Sequence, residues 1–374
     1  MLIYLLLVLA IFYCLFLSRV LIVKNMNEDS NVIFVDRKNI TLFIWFVILL
    51  GLSVFKGVGV GVDYPMYYGF YLYKTYIGLI EPGVSFIYDL AVRFDTFYVF
   101  SFGVYFIFLL FIFLGMKRHL PNYLIGLLFF LLTYTYLNSY NQIRQMIAVS
   151  IIFCFVHYLI TDKKIDKLKY VIIILIALLF HNSAIFTLLF FFIPKKRFSG
   201  KVVIPLFLLT ISLYFLPGFK NIIGDLIINF SGVYAAKYTA NPDFFFEVGK
   251  EKGLLQVIPV IIQMFIVAIS LYVPKDNSKL NMNYQLYHFS TNLVIVNLWL
   301  YALAGIEAVD RLQLYFSCFN LFYYPILIHL LLNGKQKGLG QLFILFIIFF
   351  WGLYFVLRLV INIAGVVPYS LFSS

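Results

Sequence analysis

The chain has 374 residues, 63% of them hydrophobic and 12% charged, with a formal net charge of +12 and a mean hydropathy of +0.98. Soluble domains carry about 45–50% apolar and about 25% charged residues, so a water-soluble fold, a disordered chain, a fibrous repeat and a disulfide scaffold are all excluded. What remains is a single all-α polytopic membrane domain over residues 1–374.

Apolar runs near 2–23, 41–56, 96–116, 121–137, 142–160, 166–180, 183–197, 202–216, 253–273, 286–304, 315–332 and 339–360 predict about 12 transmembrane helices, each span needing roughly 20 apolar residues. The first run lacks a basic N-terminal region, is followed by Arg19 and Lys24, and is too long for the core of a cleaved signal, so it is expected to be a retained span. The stretch 166–197 admits two readings. Either two short helices join at His181-Asn182-Ser183, or one span crosses and a loop is misassigned. Val84 to Phe94 is too short to span and is expected in the interface. Cys14, Cys154 and Cys318 lie in apolar runs with neither a disulfide framework nor metal-ligand spacing.

Lys and Arg cluster between alternate pairs of spans: Arg19 to Lys38, Lys117-Arg118, Lys163 to Lys169, Lys195 to Lys201, Lys275 to Lys279, and Lys335 to Lys337. Cytoplasmic loops carry the basic excess, so these loops are expected inside. They hold the entire net charge, which removes any need for a nucleic-acid partner. Both termini then fall outside, with outer stretches at 57–95, 138–142, 217–252 and 305–314.

Polar groups near that outer face are the informative ones, because ionisable residues at membrane depth are costly and usually face a cavity. Gly57 to Tyr71 brings glycines, Asp63 and the tyrosines Tyr64, Tyr67, Tyr68 and Tyr71 together. Aromatic faces and a carboxylate suit a saccharide; an interfacial aromatic belt accounts for the tyrosines but not for Asp63. Glu81-Pro82-Gly83 follows, a turn cap or an active carboxylate, and Asp89 with Arg93 has the spacing of a helical ion pair. Asn141, Arg144 and Gln145 are spaced to share one helix face at a helix N-terminus, where the dipole favours anions. A guanidinium there can grip phosphate bidentately, although a snorkelling arginine is the plainer account. His181 interrupts apolar sequence, either as a satisfied structural group or as a proton acceptor for a sugar hydroxyl. Glu307, Asp310 and Arg311 open a later span. Glu307–Arg311 fits a local salt bridge, yet Arg311 repeats the Arg144 pattern, and two arginines at one level could hold a pyrophosphate. No P-loop, dinucleotide fingerprint, nucleophile elbow or paired His/Cys set occurs.

In order, GVGVDYPMYY at 59–68, EPG at 81–83, NQIRQMIAVS at 141–150, FHNSAI at 180–185 and DRLQLYF at 310–316 resemble the EpsG/Wzy-like family of bacterial surface-polysaccharide polymerases. Family members often carry an arginine where this chain has Lys56, and an aromatic where it has Val84. The resemblance implies a glycosyltransferase in the bacterial inner membrane, with its active site facing the periplasm. It would move a growing glycan from undecaprenyl pyrophosphate to the non-reducing end of a fresh lipid-linked repeat unit. Arg144 and Arg311 would neutralise the pyrophosphate, and Asp63, His181 or Glu81 would deprotonate the attacking hydroxyl. Tyr64, Tyr67, Tyr68, Asn141, Gln145 and Asp310 would bind substrate. No cofactor, metal or nucleotide is called for. The implied partners are the undecaprenyl-pyrophosphate-linked oligosaccharide and the lipid bilayer, with a chain-length regulator and a flippase beside them. A lipid-linked oligosaccharide flippase or other transporter, and an O-antigen ligase, are the alternatives.

Overall fold

A computed structural model describes residues 1–24, 37–216, 218–230, 254–273, 283–334 and 337–372. The helices are α1 (Leu2–Lys24), α2 (Arg37–Val54), α3 (Tyr64–Tyr73), α4 (Pro82–Arg93), α5 (Phe97–His119), α6 (Tyr123–Leu132), α7 (Thr135–Asn138), α8 (Ile143–Phe155), α9 (His157–Ile160) and α10 (Lys164–Leu178). A 3-10 helix (Asn182–Phe192) follows, then α11 (Gly200–Tyr214), α12 (Phe219–Phe230), α13 (Leu254–Ser270), α14 (Tyr284–Leu300), α15 (Glu307–Ser317), α16 (Asn320–Leu332) and α17 (Lys337–Ile361). Among the described residues the only β pairing is an isolated bridge between Lys56 and Leu371.

The fold is therefore all-helical. Among the described residues, three helical runs are long and apolar enough to cross a membrane: Phe97–His119, Glu307–Leu332 (through α15 and α16) and Gly338–Ile361. Each of the twelve apolar runs meets a helix, but most of those helices are shorter than a span needs. The run 142–160 breaks at Val156 into α8 and α9. The run 183–197 is helical only to Phe192, as an 11-residue 3-10 helix rather than an α-helix; at about 2.0 Å per residue it reaches roughly 22 Å, short of the bilayer core of about 30 Å. The chain does divide at His181, and the two arms pack against each other. Most of the outer stretch 217–252, the cluster Lys275 to Lys279, and Lys335 lie outside the described residues.

Packing centres on α8, whose residues Ile143 and Gln145 to Cys154 are all buried. It lies between α5 and α10 and also meets α15. Aromatic pairs fill the gaps, Phe153 stacking on Phe322 at 4.0 Å and Tyr88 on Phe100 at 4.0 Å between ring centres. The most buried helix thus presents its N-terminal turn, with Arg144, to the end of the bundle where α3 and α4 sit. Of the local pairs read from spacing, Glu307–Arg311 forms. Asp89–Arg93 does not: Asp89 instead accepts the Tyr76 hydroxyl at 2.9 Å. The three cysteines are free thiols.

Candidate active site

The Glu81-Pro82-Gly83 turn shows how the chain builds one wall. Glu81 is the extended N-cap residue of α4 and Pro82 occupies the first turn, where a missing N–H costs nothing. Gly83 donates its N–H to the Leu179 carbonyl at 2.8 Å, and a Cβ there would meet that same oxygen at 2.8 Å. The approach requires glycine, and it pins the start of α4 against the end of α10, beside His181. Glu81, 8% exposed, accepts from Arg144 Nη1 at 2.6 Å. Its other oxygen accepts the Asn182 N–H at 3.4 Å.

Arg144 stands in the first turn of α8. The preceding turn is closed by the Asn138 carbonyl, which accepts the N–H groups of Asn141 (3.2 Å) and Gln142 (3.1 Å). Helix and guanidinium together make this an anion-favouring corner. Arg311, in the first half of α15, pairs with Glu307, and its carbonyl accepts Gln145 Nε2 at 2.6 Å. Two buried polar atoms at the site have no hydrogen-bond partner, Arg144 Nε and Glu307 Oε2. Native interiors rarely leave such groups unmet.

His181 begins the 3-10 helix. Its Nδ1 accepts the Ser183 N–H at 3.2 Å and lies 2.7 Å from Ser183 Oγ, which is itself 3.1 Å from the Tyr315 hydroxyl on α15. A backbone N–H only donates, so Nδ1 is bare and the neutral ring carries its proton on Nε2. Burial depresses the imidazole pKa to about 4; Glu81 opposes this, and Arg144 and Arg311 reinforce it. The ring is a neutral donor at physiological pH.

Asp63 closes the glycine run. Gly61 has φ +101°, and a Cβ there would meet the Tyr140 carbonyl at 2.7 Å, so the chain can turn there only without a side chain. Asp63 is the N-cap residue of α3 yet makes no capping bond. Half-buried, its carboxylate has no side-chain hydrogen bond among the described residues. Burial raises its pKa, while Arg144 and Arg311 draw it back down.

Asp63, Glu81, Arg144, His181 and Arg311, spread over nearly 250 residues of sequence, therefore lie within electrostatic reach of one another. The remaining candidates sit around them. Tyr67 is close, facing Asp63, Glu81 and Arg144, and its hydroxyl donates to the Asn141 carbonyl at 3.3 Å. Tyr64 is 1% exposed, bonded to Ser101 and covered by the buried Lys56 ammonium, which donates to the Val60 carbonyl at 3.1 Å. Tyr68 packs edge-on to Phe97 and Phe372. Asn141 lies just before α8 rather than on its face, and its amide is spent on backbone: Oδ1 accepts Val62 N–H (2.6 Å) and Nδ2 donates to Ala364 (3.1 Å). Both oxygens of Asp310 accept the Gly305 N–H, at 3.1 and 3.2 Å.

Ser183 and Tyr315 join the site through His181. Both stand inside sequence motifs, but their spacing of 132 residues carries no periodic signal. Among the described residues no three His, Cys, Asp or Glu side chains gather to hold a metal ion.

The model for the EpsG family matches residues 39–371. No curated protein and no solved structure matches the chain.

Proposed function

The chain belongs to the EpsG family, and from that premise we propose that it is a surface-polysaccharide polymerase of the bacterial inner membrane, crossing it about 12 times with the site toward the periplasm. Its substrates on this reading are two undecaprenyl-pyrophosphate-linked glycans, the growing chain as donor and a single repeat unit as acceptor. A flippase supplies the unit, and a chain-length regulator acts beside it.

The observation that carries the reading is the convergence of two arginines with one unbonded carboxylate. In the reaction, a hydroxyl oxygen of the acceptor sugar bonds to the anomeric carbon of the donor. The bond from that carbon to the pyrophosphate oxygen breaks, and undecaprenyl pyrophosphate leaves. Arg144 and Arg311 meet the charge that develops on the leaving group, an electrostatic contribution worth on the order of 10²–10³ in rate per donor removed. The open Nε–H of Arg144 suits a phosphate oxygen. Glu81, already engaged by Arg144 and the Asn182 amide, holds the guanidinium in place and is poorly free to take a proton. His181, with Nδ1 occupied, donates through Nε2 to an oxygen of the substrate. Asp63 then takes the proton of the attacking hydroxyl, and its raised pKa favours that role. Glu307 Oε2, open and buried, is placed to accept a sugar hydroxyl.

The test is the size profile of surface polysaccharide in a strain lacking the gene, against a complemented control. Carrier- or core-linked material halted at one repeat unit, with the ladder restored on complementation, is the expected outcome. An unchanged ladder would sink the reading. Repeat units trapped inside would replace it with a flippase, and exported but unattached polymer with a ligase.

A further inference from the structure

Arg144 and Arg311 each pair with a glutamate. Arg358, in the last turn of α17, has no such partner among the described residues. Its guanidinium lies 3.9 Å from the Tyr134 ring centre and 5.7 Å from that of Tyr354. Its Nη2 donates to Asn138 Oδ1 at 3.3 Å. Among the described residues, the ionisable groups acting on it are those two tyrosines and no carboxylate is among them. Arg358 Nε and the Tyr134 hydroxyl are both buried without a hydrogen-bond partner, and Nη1 and the Asn138 amide nitrogen make no hydrogen bond among the described residues. The three nitrogens can only donate and the Tyr134 hydroxyl can donate as well, all gathered around a full positive charge. The Tyr134 ring face and the Asn138 oxygen meet this charge in part, but a cation without a counter-anion in a low-dielectric setting is costly, and donors without acceptors add to that cost.

The surroundings say what would meet them. On the same end of α17, Leu353, Leu357, Val360, Ile361 and Ile363 are between 43% and 64% exposed, an apolar face suited to acyl or prenyl chains. The tail that follows α17 returns to the Asp63 loop, with Gly61 N–H donating to the Gly365 carbonyl at 2.9 Å, so Arg358 stands at the same end of the bundle as the active site. It is nevertheless distinct from that site. Among the described residues, Tyr134 and Tyr354 are the ionisable groups that act on Arg358, and Arg358 is not among those that act on Asp63 or Arg144.

We propose that Arg358, Asn138 and Tyr134 form a second phosphate site, open to the bilayer, that takes the phosphate of an anionic lipid. The chemistry is a planar guanidinium fork and neutral donors against phosphate oxygens, beside an apolar wall for the chains. Two lipids offer it: a prenyl pyrophosphate carrier, which on the polymerase reading is the second substrate, and bulk phosphatidylglycerol. The site itself does not depend on that reading, since lipid phosphate binding would stand even with an unchanged polysaccharide ladder.

The experiment uses the full chain in phosphatidylcholine nanodiscs, with binding of labelled undecaprenyl pyrophosphate measured with and without added phosphatidylglycerol. Wild type should show two classes of site. Arg358→Ala should weaken one class by on the order of 10- to 100-fold, and Arg144→Ala the other. Arg358→Lys, which keeps the charge and disturbs packing least, should fall between wild type and Arg358→Ala. Binding of both undecaprenyl pyrophosphate and labelled phosphatidylglycerol left unchanged in a folded Arg358→Ala protein overturns the site, as does full binding lost through Arg144→Ala alone. If phosphatidylglycerol occupies the Arg358 site and undecaprenyl pyrophosphate does not displace it, the lipid phosphate site stands and the second-substrate source is overturned.

Discussion

Because the Ser183 amide donates to His181 Nδ1, the ring can offer only Nε2–H to a ligand. Gln at this position can present an amide N–H near where Nε2 lies, but it cannot act as a base. We therefore expect His181→Gln to keep activity within about tenfold of wild type, while His181→Ala loses on the order of 10²–10³, measured as initial polymerisation rate on lipid-linked units. Equal loss in both variants would return His181 to the list of bases. Asp63 is the complementary case. A base works deprotonated, so activity is present above its pKa and lost as pH falls through it. Burial has moved that pKa up and two guanidiniums hold part of the rise in check. Arg311→Gln removes one of those positive charges, so the acid limb of the residual activity should move to higher pH, and Asp63→Asn should abolish the reaction. A limb that stays in place in Arg311→Gln would show that another group controls it. Both residues were visible in the sequence as polar interruptions. The division of labour proposed for them was not, because it depends on one backbone N–H.

The element that aims Asp63 is a loop clasped by the far end of the chain. Gly57 N–H donates to Ser370 (2.8 Å), Phe372 N–H to Phe55 (2.9 Å) and Gly61 N–H to Gly365 (2.9 Å), while Asn141 bridges Val62 and Ala364. The glycines announced a tight turn in the sequence. Their partner segment did not announce itself, since it lies some 300 residues away and no periodicity links such distant stretches. The same limit applies to the 3-10 helix after His181, which packs against α10: an apolar run looks alike to either helix type. Two alanine substitutions separate crowding from mere loss of a glycine. At Gly61 an alanine meets the Tyr140 carbonyl and an unfavourable φ, strain of about 1–3 kcal/mol, whereas Gly59 has open space around it. Gly61→Ala should cut polymerisation at least tenfold with the protein still inserted, and Gly59→Ala should leave it near wild type. Equal effects would mean that the loop's shape does not set the position of Asp63.

At the scale of the molecule, α5 supplies the ruler. Its 23 residues reach about 35 Å, enough for a bilayer core of about 30 Å. Phe97, at its start, packs against Tyr64, Tyr68 and Tyr71 of the Asp63 segment. Arg118, near its end, bonds to His157 at 3.4 Å, just ahead of the Lys163 to Lys169 cluster. The candidate site and a basic loop thus stand at opposite ends of one candidate span, which is the separation that charge counting along the sequence implied. Composition made the helical membrane class legible, because no soluble core could absorb so much apolar surface. The number of crossings was less legible, since runs shorter than a span can lie buried within a bundle. Sidedness can be measured directly. Asp95 and Lys164 are exposed at the two ends, while Cys154 and Cys318 are buried and should stay silent to a maleimide, with Cys14 replaced. In intact spheroplasts an impermeant maleimide should label Asp95→Cys at once and Lys164→Cys only after permeabilisation. The opposite pattern would turn the arginines toward the cytoplasm, where exported lipid-linked repeat units cannot meet them, and an extracytoplasmic polymerase would no longer be tenable.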